Sequence, residues 1–143
     1  MLRLRHSDYH MIRQHGEETY PHECCGVLLG SFSGDTREVR ATARCSNMRI
    51  DSLRNRYGID PRELVRVQRT AREQGLDIVG FYHSHPDHPA QWSQTDFDDA
   101  PWIGCSYVIT SVEQGKATVT NSFFLSGTVE EDKVFVDEEI VVE

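Results

Sequence analysis

Short apolar runs, each bounded by glycine, proline or small polar residues, recur along the chain and constrain its fold more than any other feature. The runs that predict strands are CGVLLGSF, TREVRATA, DIVGFYHSH, CSYVITSV, KATVTNSFFL and KVFVDEEIVV, with RYGID as a possible short strand. The turn signals SGD and EQG each join two of these strands. Helices and strands are mixed without strict βαβ alternation, so the sequence predicts an α+β fold, a mixed and mainly antiparallel β-sheet packed by helices.

Two helices of ordinary length are expected between the strands. The first runs from Ser7, which can cap it, to about Tyr20, before a proline that cannot continue it. The second is the clearest in the sequence, because Asp60 is a good N-cap, Pro61 suits the first helical position and Gly75 suits the C-terminus.

Nothing in the sequence divides the chain. It has 143 residues and no repeat, low-complexity tract or Gly/Ser-rich linker, so we expect one domain spanning residues 1–143. No apolar run reaches the roughly 18–20 residues of a membrane span, and the N-terminus lacks the apolar stretch of a signal peptide. We therefore expect a cytoplasmic protein with no membrane partner.

The charge of the chain argues against nucleic acid as a partner, because the net charge is −8. The charge is uneven: residues 1–75 carry 13 Arg and 10 acids, whereas residues 76–143 carry 2 Lys and 13 acids. An acidic face on the C-terminal half is expected. The 4 cysteines have no CxxC spacing, and buried, reduced thiols are the expected state.

The stretch FYHSHPDHPAQWSQTD carries the candidate chemistry. Alternation along a strand places His83 and His85 on one side. Pro86 then turns the chain, and Ser93 reads as the N-cap of a short helix, to about residue 100, that presents Asp96. Two imidazoles and one carboxylate suit Zn²⁺ and leave a fourth position open, which is typical of catalytic rather than structural zinc.

The same residues allow simpler interpretations. The two histidines can be partly exposed residues at a strand end, and SQTD is by itself a capping box. A closed structural zinc site is a further alternative, for which His88 is the nearest fourth ligand. His22 adjoins the proposed site and is expected, like His88, to be exposed, while Trp92 is either a platform for substrate or part of the loop packing.

Two motifs carry a resemblance to a known family. HSHP followed by SQTD resembles the H-x-H-P…S-x-x-D signature of the JAMM (MPN+) metallopeptidases, and PHECCGVLLG, about sixty residues upstream, resembles the glutamate motif of that family. The order of predicted elements through about residue 112 is also similar. The resemblance implies the MPN/JAMM fold, a cytidine-deaminase-like architecture, and a compact prokaryotic member of the family.

Residue by residue, the resemblance implies that His83, His85 and Asp96 bind zinc. It implies that Glu23 is the general base acting on a zinc-activated water, and that Ser93 stabilises the tetrahedral oxyanion. The implied activity is hydrolysis of an amide bond, as in relatives that trim ubiquitin-like sulfur-carrier proteins after a C-terminal Gly-Gly. Two alternatives stay open: a catalytically silent MPN scaffold, and a peptidase of other peptides such as those of cell walls.

Overall fold

The computed structural model describes residues 1–47 and 58–143. Within them the strands are β1 (Leu2–Leu4), β2 (Cys25–Ser33), β3 (Thr36–Cys45), β4 (Asp77–Pro86), β5 (Ser106–Glu113), β6 (Lys116–Ser126), β7 (Val134–Glu138) and β8 (Ile140–Val142). The helices are α1 (His6–Thr19), α2 (Pro61–Glu73) and α3 (Gln94–Asp98), with a 3-10 turn at Glu130–Asp132.

All of these strands join one sheet in the order β7-β6-β5-β4-β2-β3-β1-β8. Strand β2 pairs antiparallel with β3 and β4, and β6 pairs antiparallel with β5 and β7. The pairs β4–β5, β1–β3 and β1–β8 are parallel. The predicted α+β class with a mixed, mainly antiparallel sheet is confirmed.

The run KVFVDEEIVV, expected to form one strand, forms two. Strand β7 pairs with β6 at one edge of the sheet, and β8 pairs with β1 at the other. Only Glu139 separates the two strands, and its carbonyl accepts a 2.9 Å hydrogen bond from the N–H of Leu2. Because consecutive Cα atoms are about 3.8 Å apart, the two edges lie close together and the sheet is strongly curved.

Arg37 ties this curved end of the sheet together from the inside. Its side chain is buried and donates to Ser106 Oγ at 2.8 Å and to Glu138 Oε1 at 2.5 Å. Glu138 also accepts from Ser122 Oγ at 2.7 Å, and the guanidinium lies 4.2 Å from the centre of the Phe124 ring. A buried charge is tolerated where it is paired and hydrogen-bonded in this way.

The start of α1 differs from the prediction. The N-cap is Arg5 and not Ser7, and no side chain caps the helix. The chain arrives from β1, and the pairing with the C-terminal segment continues to His6, whose N–H donates to the carbonyl of Glu143 at 2.9 Å. The helix therefore begins before the serine is reached, and Asp8 in its first turn accepts from Arg5 at 2.8 Å.

The second helix follows the prediction closely. Asp60 Oδ1 accepts the backbone N–H of Arg62 at 2.9 Å, Pro61 is the first helical residue, and Gly75 adopts φ +71° just beyond the C-terminus. The possible RYGID strand lies partly outside the described residues, and its Ile59 forms an isolated bridge with Asn47.

Helices α1 and α2 cover opposite faces of the sheet. Ile12 of α1 belongs to one buried cluster, with residues such as Leu28, and Ala71 of α2 belongs to the other, with residues such as Val27. The alternation of Val27 and Leu28 along β2 explains why an unbroken apolar run is needed there. All four cysteines are buried and unpaired, which confirms the expected thiols. No helix in the described part of the chain is long and apolar enough to cross a membrane.

Candidate functional site

The start of β2 and the end of β4 lie side by side at one end of the sheet. The two strands are antiparallel, and Cys25 stands opposite His83. Glu23, two residues before β2, therefore reaches the end of β4 where the two histidines lie. Sequence positions sixty residues apart meet because the sheet pairs these strands directly.

The two histidines converge as alternation along the strand requires. Their Nε2 atoms are 3.1 Å apart, His83 is buried, and the His85 side chain is 11% exposed. The Nδ1 atom of His85 lies 2.8 Å from the carbonyl oxygen of Pro89. A carbonyl acceptor holds the proton on Nδ1, so Nε2 of His85 presents its lone pair to the site.

Asp96 completes the group from the short helix α3. Ser93 caps this helix in both directions: its Oγ accepts the Asp96 N–H at 3.1 Å, and its own N–H donates to Asp96 Oδ2 at 2.9 Å. The carboxylate then lies 3.1 Å from His85 Nε2 and 3.3 Å from His83 Nε2. The predicted capping box is present, and it orients the carboxylate towards the histidines, so capping and site formation coexist.

Glu23 lies beside the histidines and is almost fully buried, at 3% exposure. One donor atom from each of Glu23, His83 and His85 lies within 4.8 Å of the others. The Oε1 atom of Glu23 is buried without a hydrogen-bond partner among the described residues. Burial, and then the negative charge of Asp96, raise the pKa of Glu23 to about 9, as expected for a carboxyl with no cation beside it.

The pKa values of His83 and Asp96 are lowered, opposite to the shift of Glu23. Burial lowers the pKa of His83, although the nearby Asp96 carboxylate acts against this. For Asp96, burial alone would raise the pKa, but the charge of His83 and the hydrogen bonds from His83, His85 and the Ser93 N–H together lower it. These shifts favour the neutral imidazole of His83 and the ionised carboxylate of Asp96, the protonation states that bind metal.

The donor set fits a zinc ion. With Zn–N distances of about 2.0–2.1 Å, the ligands of a tetrahedral ion are about 3.3 Å apart. The contacts among His83, His85 and Asp96 are 3.1–3.3 Å. A cation there would also face the unpaired Glu23 oxygen, which needs a charged or hydrogen-bonding neighbour. The residues present are thus compatible with the implied metal.

Ser84, between the two histidines, is a structural residue of the site that sequence reasoning missed. It is fully buried; its Oγ accepts the N–H of Cys24 at 2.9 Å, and its N–H donates to the Cys24 carbonyl at 3.3 Å. Asn47 donates to the carbonyl of Glu23 at 3.3 Å. These bonds fix the backbone around Glu23 against the histidine strand. The alternation of side chains along β4 that places the two histidines on one face places Ser84 on the other. This alternation was the signal from which a buried, structural Ser84 could have been predicted.

A cavity of about 470 Å³ opens beside Glu23 and His85. Its walls are formed by residues of the loop after β4, among them His88, Pro89 and Trp92. His22 and His88 are exposed, as expected, and His88 is not part of the converging donor group in the described chain. His88 is therefore not placed as a fourth ligand, and a closed site would have to use Glu23 instead.

Trp92 takes part in the loop packing and also lines the cavity, while its contact with substrate stays a prediction. Its ring packs on Phe97 and Phe135, with ring centroids 5.6 and 5.4 Å apart. The residue is 38% exposed and lines the cavity. Packing on two phenylalanines fixes the indole, and its remaining surface forms a rigid apolar wall next to the site.

Lys133 holds the far end of α3 and was not anticipated from the sequence. Its ammonium group donates to the carbonyls of Ala100 at 3.0 Å and Asp98 at 3.4 Å, and lies 4.9 Å from the centre of the Phe97 ring. The side chain is 3% exposed and pairs with Glu130 at 2.7 Å. A helix of 5 residues has little stability of its own, so this anchor helps to hold Asp96 in place.

Together the curved mixed sheet, the convergent histidines and carboxylate, and the buried glutamate define a small domain built around a potential metal centre. The chain belongs to the family described as prokaryotic homologs of the JAB domain, whose model matches residues 6–126. The resemblance to JAMM proteins that the two motifs indicated is thereby confirmed.

Two curated relatives are similar to this chain. It is 42% identical over 91 residues to the desampylase of Haloferax volcanii, covering 64% of this chain and 63% of the relative. It is 29% identical over 99 residues to a probable TtuB-protein conjugate cleaving protease of Thermus thermophilus, covering 69% and 60%. The matches thus span less than two thirds of each relative.

Two solved structures share the whole fold. A protein from Desulfitobacterium hafniense, solved in solution, has a TM-score of 0.84 at 30% identity and covers 100% of this chain and 93% of its own. A protein from Salinibacter ruber, also solved in solution, has a TM-score of 0.74 at 38% identity and covers 99% and 91%. The described architecture is therefore one that related chains adopt.

Proposed function

We propose that this protein is a zinc-dependent peptidase that hydrolyses the amide bond at the C-terminal Gly-Gly tail of a ubiquitin-like sulfur-carrier protein, where the tail is joined to a further segment or to another protein. One observation carries the proposal. A buried Glu23 carboxyl lies within 4.8 Å of the donor atoms of two histidines, and Asp96 contacts both of those histidines.

His83, His85 and Asp96 are the residues that would hold the metal. Bound zinc would act as a Lewis acid, polarising the amide carbonyl and making a water acidic enough to attack it near neutral pH. The protein supplies the orientation of the ligands, through the Pro89 carbonyl behind His85 and the Ser93 cap behind Asp96. Such supporting contacts are worth about 10–100-fold in metal affinity or activity at comparable sites.

Glu23 is the group positioned to move protons. Its carboxyl group faces the histidine pair from the segment just before β2 and is shielded from bulk water. A cation held by the histidines would lower the pKa of this carboxyl, so that its ionised form can act as the base. In the proposed mechanism it takes a proton from the attacking water and delivers it to the amine that leaves. General acid–base catalysis by one such group contributes about 10²–10⁴-fold.

Ser93 is the proposed donor to the oxyanion. Its hydroxyl oxygen accepts the Asp96 N–H, which leaves the O–H proton to be donated, and the residue lines the cavity beside Glu23. A donor that stabilises a developing oxyanion is worth about 3 kcal/mol in comparable sites. The same residue would thus position one ligand and stabilise the transition state.

The choice of substrate rests on the relatives and on the shape of the site. One relative is named for desampylation and the other for cleavage of a protein conjugate of TtuB. The cavity next to Glu23 is bounded by the rigid Trp92 and by prolines, which suits an extended, thin peptide more than a folded surface. A Gly-Gly tail has no side chains to clash with these walls.

The test is hydrolysis of a defined substrate followed by intact-mass analysis. The substrate is a ubiquitin-like protein from the same genome that ends in Gly-Gly and carries a short C-terminal extension, incubated with zinc-loaded protein. Wild type should remove the extension after Gly-Gly. Glu23→Gln should keep one zinc per chain and lose activity by several orders of magnitude.

A matched pair of variants on α3 separates the site from the fold. Asp96→Asn should lose metal and activity, whereas Asp98→Asn, an exposed carboxylate on the same helix, should keep both. Full activity of Glu23→Gln or Asp96→Asn would contradict the assigned roles. A protein that holds no zinc and cleaves nothing would favour the scaffold alternative, and zinc binding with cleavage of other peptides only would redirect the substrate.

A further inference from the structure

The exposed face of α2 carries a stripe of arginines. Arg62, Arg66, Arg69 and Arg72 are all exposed, and at about 100° per residue they fall within an arc of about 120°. The opposite face of the helix packs on the sheet through residues such as Ala71, which is buried. We call these four residues the arginine stripe.

The positive charge of the arginine stripe is compensated only in part, by Asp60 before the helix and by the exposed Glu73, which falls within the same arc. Arg62 pairs with Asp60 at 3.3 Å, but Arg66, Arg69 and Arg72 make no hydrogen bond or ion pair with any residue of the described chain. Glu63, on the same helix, is engaged elsewhere: its Oε1 accepts the backbone N–H of Ser46 at 2.7 Å. The chain has a net charge of −8, so these unpaired arginines form a positively charged surface on a protein that is acidic as a whole.

The stripe begins next to the candidate site. Asn47 donates to the carbonyl of Glu23 at 3.3 Å and forms a bridge with Ile59, two residues before α2 starts. Helix α2 has 13 residues and extends about 19 Å from that point. Its exposed face is thus a surface that a substrate body can contact while an extended tail reaches Glu23.

We propose that the arginine stripe docks an acidic surface on the folded body of the protein whose tail is cleaved. This inference rests on the proposed function, because it names where the rest of that substrate binds. Arginine matches carboxylates with two parallel hydrogen bonds and is enriched at protein interfaces. Val65, within the stripe, is 53% exposed and supplies an apolar contact that fits a protein surface better than a nucleic acid.

The experiment compares a folded substrate with its tail alone. The first probe is the genome's own ubiquitin-like protein with a C-terminal extension, and the second is a synthetic peptide of its last eight residues with the same extension. The variants are Arg66→Glu/Arg69→Glu and the charge-conserving Arg66→Lys/Arg69→Lys. Arg40→Glu, an exposed arginine on β3 near β1, is the matched control.

The charge reversal should raise KM for the folded probe about tenfold or more at low salt, with kcat unchanged. The lysine variant should keep most of the affinity, and Arg40→Glu should behave as wild type. Cleavage of the peptide should be equal in all variants. Raising the salt to about 0.5 M should remove the difference, because exposed charges are screened.

A binding measurement keeps the docking proposal independent of hydrolysis. Calorimetric titration of Glu23→Gln with the folded probe should show binding that the charge reversal weakens about tenfold. Binding of this kind without cleavage by wild type would support docking and defeat the proposed function. If wild type cleaves the folded probe and the charge reversal leaves KM unchanged, the docking proposal alone is wrong. The same holds if the charge reversal impairs cleavage of the peptide as much as cleavage of the folded probe. Binding of RNA that depends on the arginine stripe, with normal processing of the folded probe, would also contradict docking.

Discussion

Lys133→Met should destabilise the protein and weaken its hold on metal. The ammonium group of Lys133 is buried and donates to the carbonyls of Ala100 and Asp98, at the end of the helix that carries Asp96. Methionine has a similar length and apolar stem, so the substitution removes the charge and its hydrogen bonds without leaving a large cavity.

The expected loss follows from these contacts. Hydrogen bonds from a charged donor contribute about 1.5–3 kcal/mol, and a cation at a partly buried helix C-terminus up to about 2 kcal/mol, with the two effects overlapping. The ion pair with Glu130, whose side chain is 63% exposed, adds little. We expect the free energy of unfolding to fall by about 2–3 kcal/mol, and zinc affinity about tenfold because α3 loses its anchor.

Lys116→Met is the matched control, since Lys116 is the other lysine of the chain and lies exposed at the start of β6. It should change the free energy of unfolding by less than about 0.5 kcal/mol. Urea denaturation of the metal-free protein and competition with a zinc chelator measure the two effects. If the two methionine variants agree within about 0.5 kcal/mol, the anchoring role of Lys133 is wrong.

Three further predictions concern the interior. Ser84→Ala should lower kcat about tenfold with little change in KM, since the site loses the hydroxyl that fixes the backbone beside Glu23; an unchanged kcat would contradict this. His85→Ala should lose both zinc, measured by metal analysis, and activity. Burial, and then the charge of Arg44, lower the pKa of His15 to about 4, so the unfolded chain binds the proton first as the pH falls. From pH 6.5 to 4 the free energy of unfolding, followed by urea denaturation, should therefore fall by about 2–3 kcal/mol more in wild type than in His15→Gln.

Local patterns in the sequence were sufficient to predict the strand that carries the two histidines and the short helix that carries Asp96. Alternation alone placed His83 and His85 together, and capping patterns located the starts of α2 and α3. These signals work because they depend on neighbours within four residues. The meeting of Glu23 with the histidines depended instead on strand pairing, and it was anticipated only through the resemblance of two motifs to a known family.

Features set by tertiary contacts were missed for a physical reason. Strand β1 has 3 residues and no periodicity of its own, so it is defined by its partners. The division of KVFVDEEIVV follows from two different partners at opposite edges, which no local pattern encodes. Lys133 and Ser84 are ordinary polar residues in sequence, and their importance comes from burial beside helix α3 and beside Cys24. The extent of the single domain and the roles of the site residues stay predictions.

The C-terminal segment has a consequence for how the domain opens. The residues from Val134 to Val142 bond to β6 at one edge and to β1 at the other, so one stretch of chain closes both sides of the sheet. Fraying at either side then loosens the other, and the two edges form one cooperative unit rather than two independent ones. Amide hydrogens of Leu2–Leu4 and of Ser122–Ser126 should therefore exchange at matched rates, although β1 and β6 are separated by four other strands along the sheet.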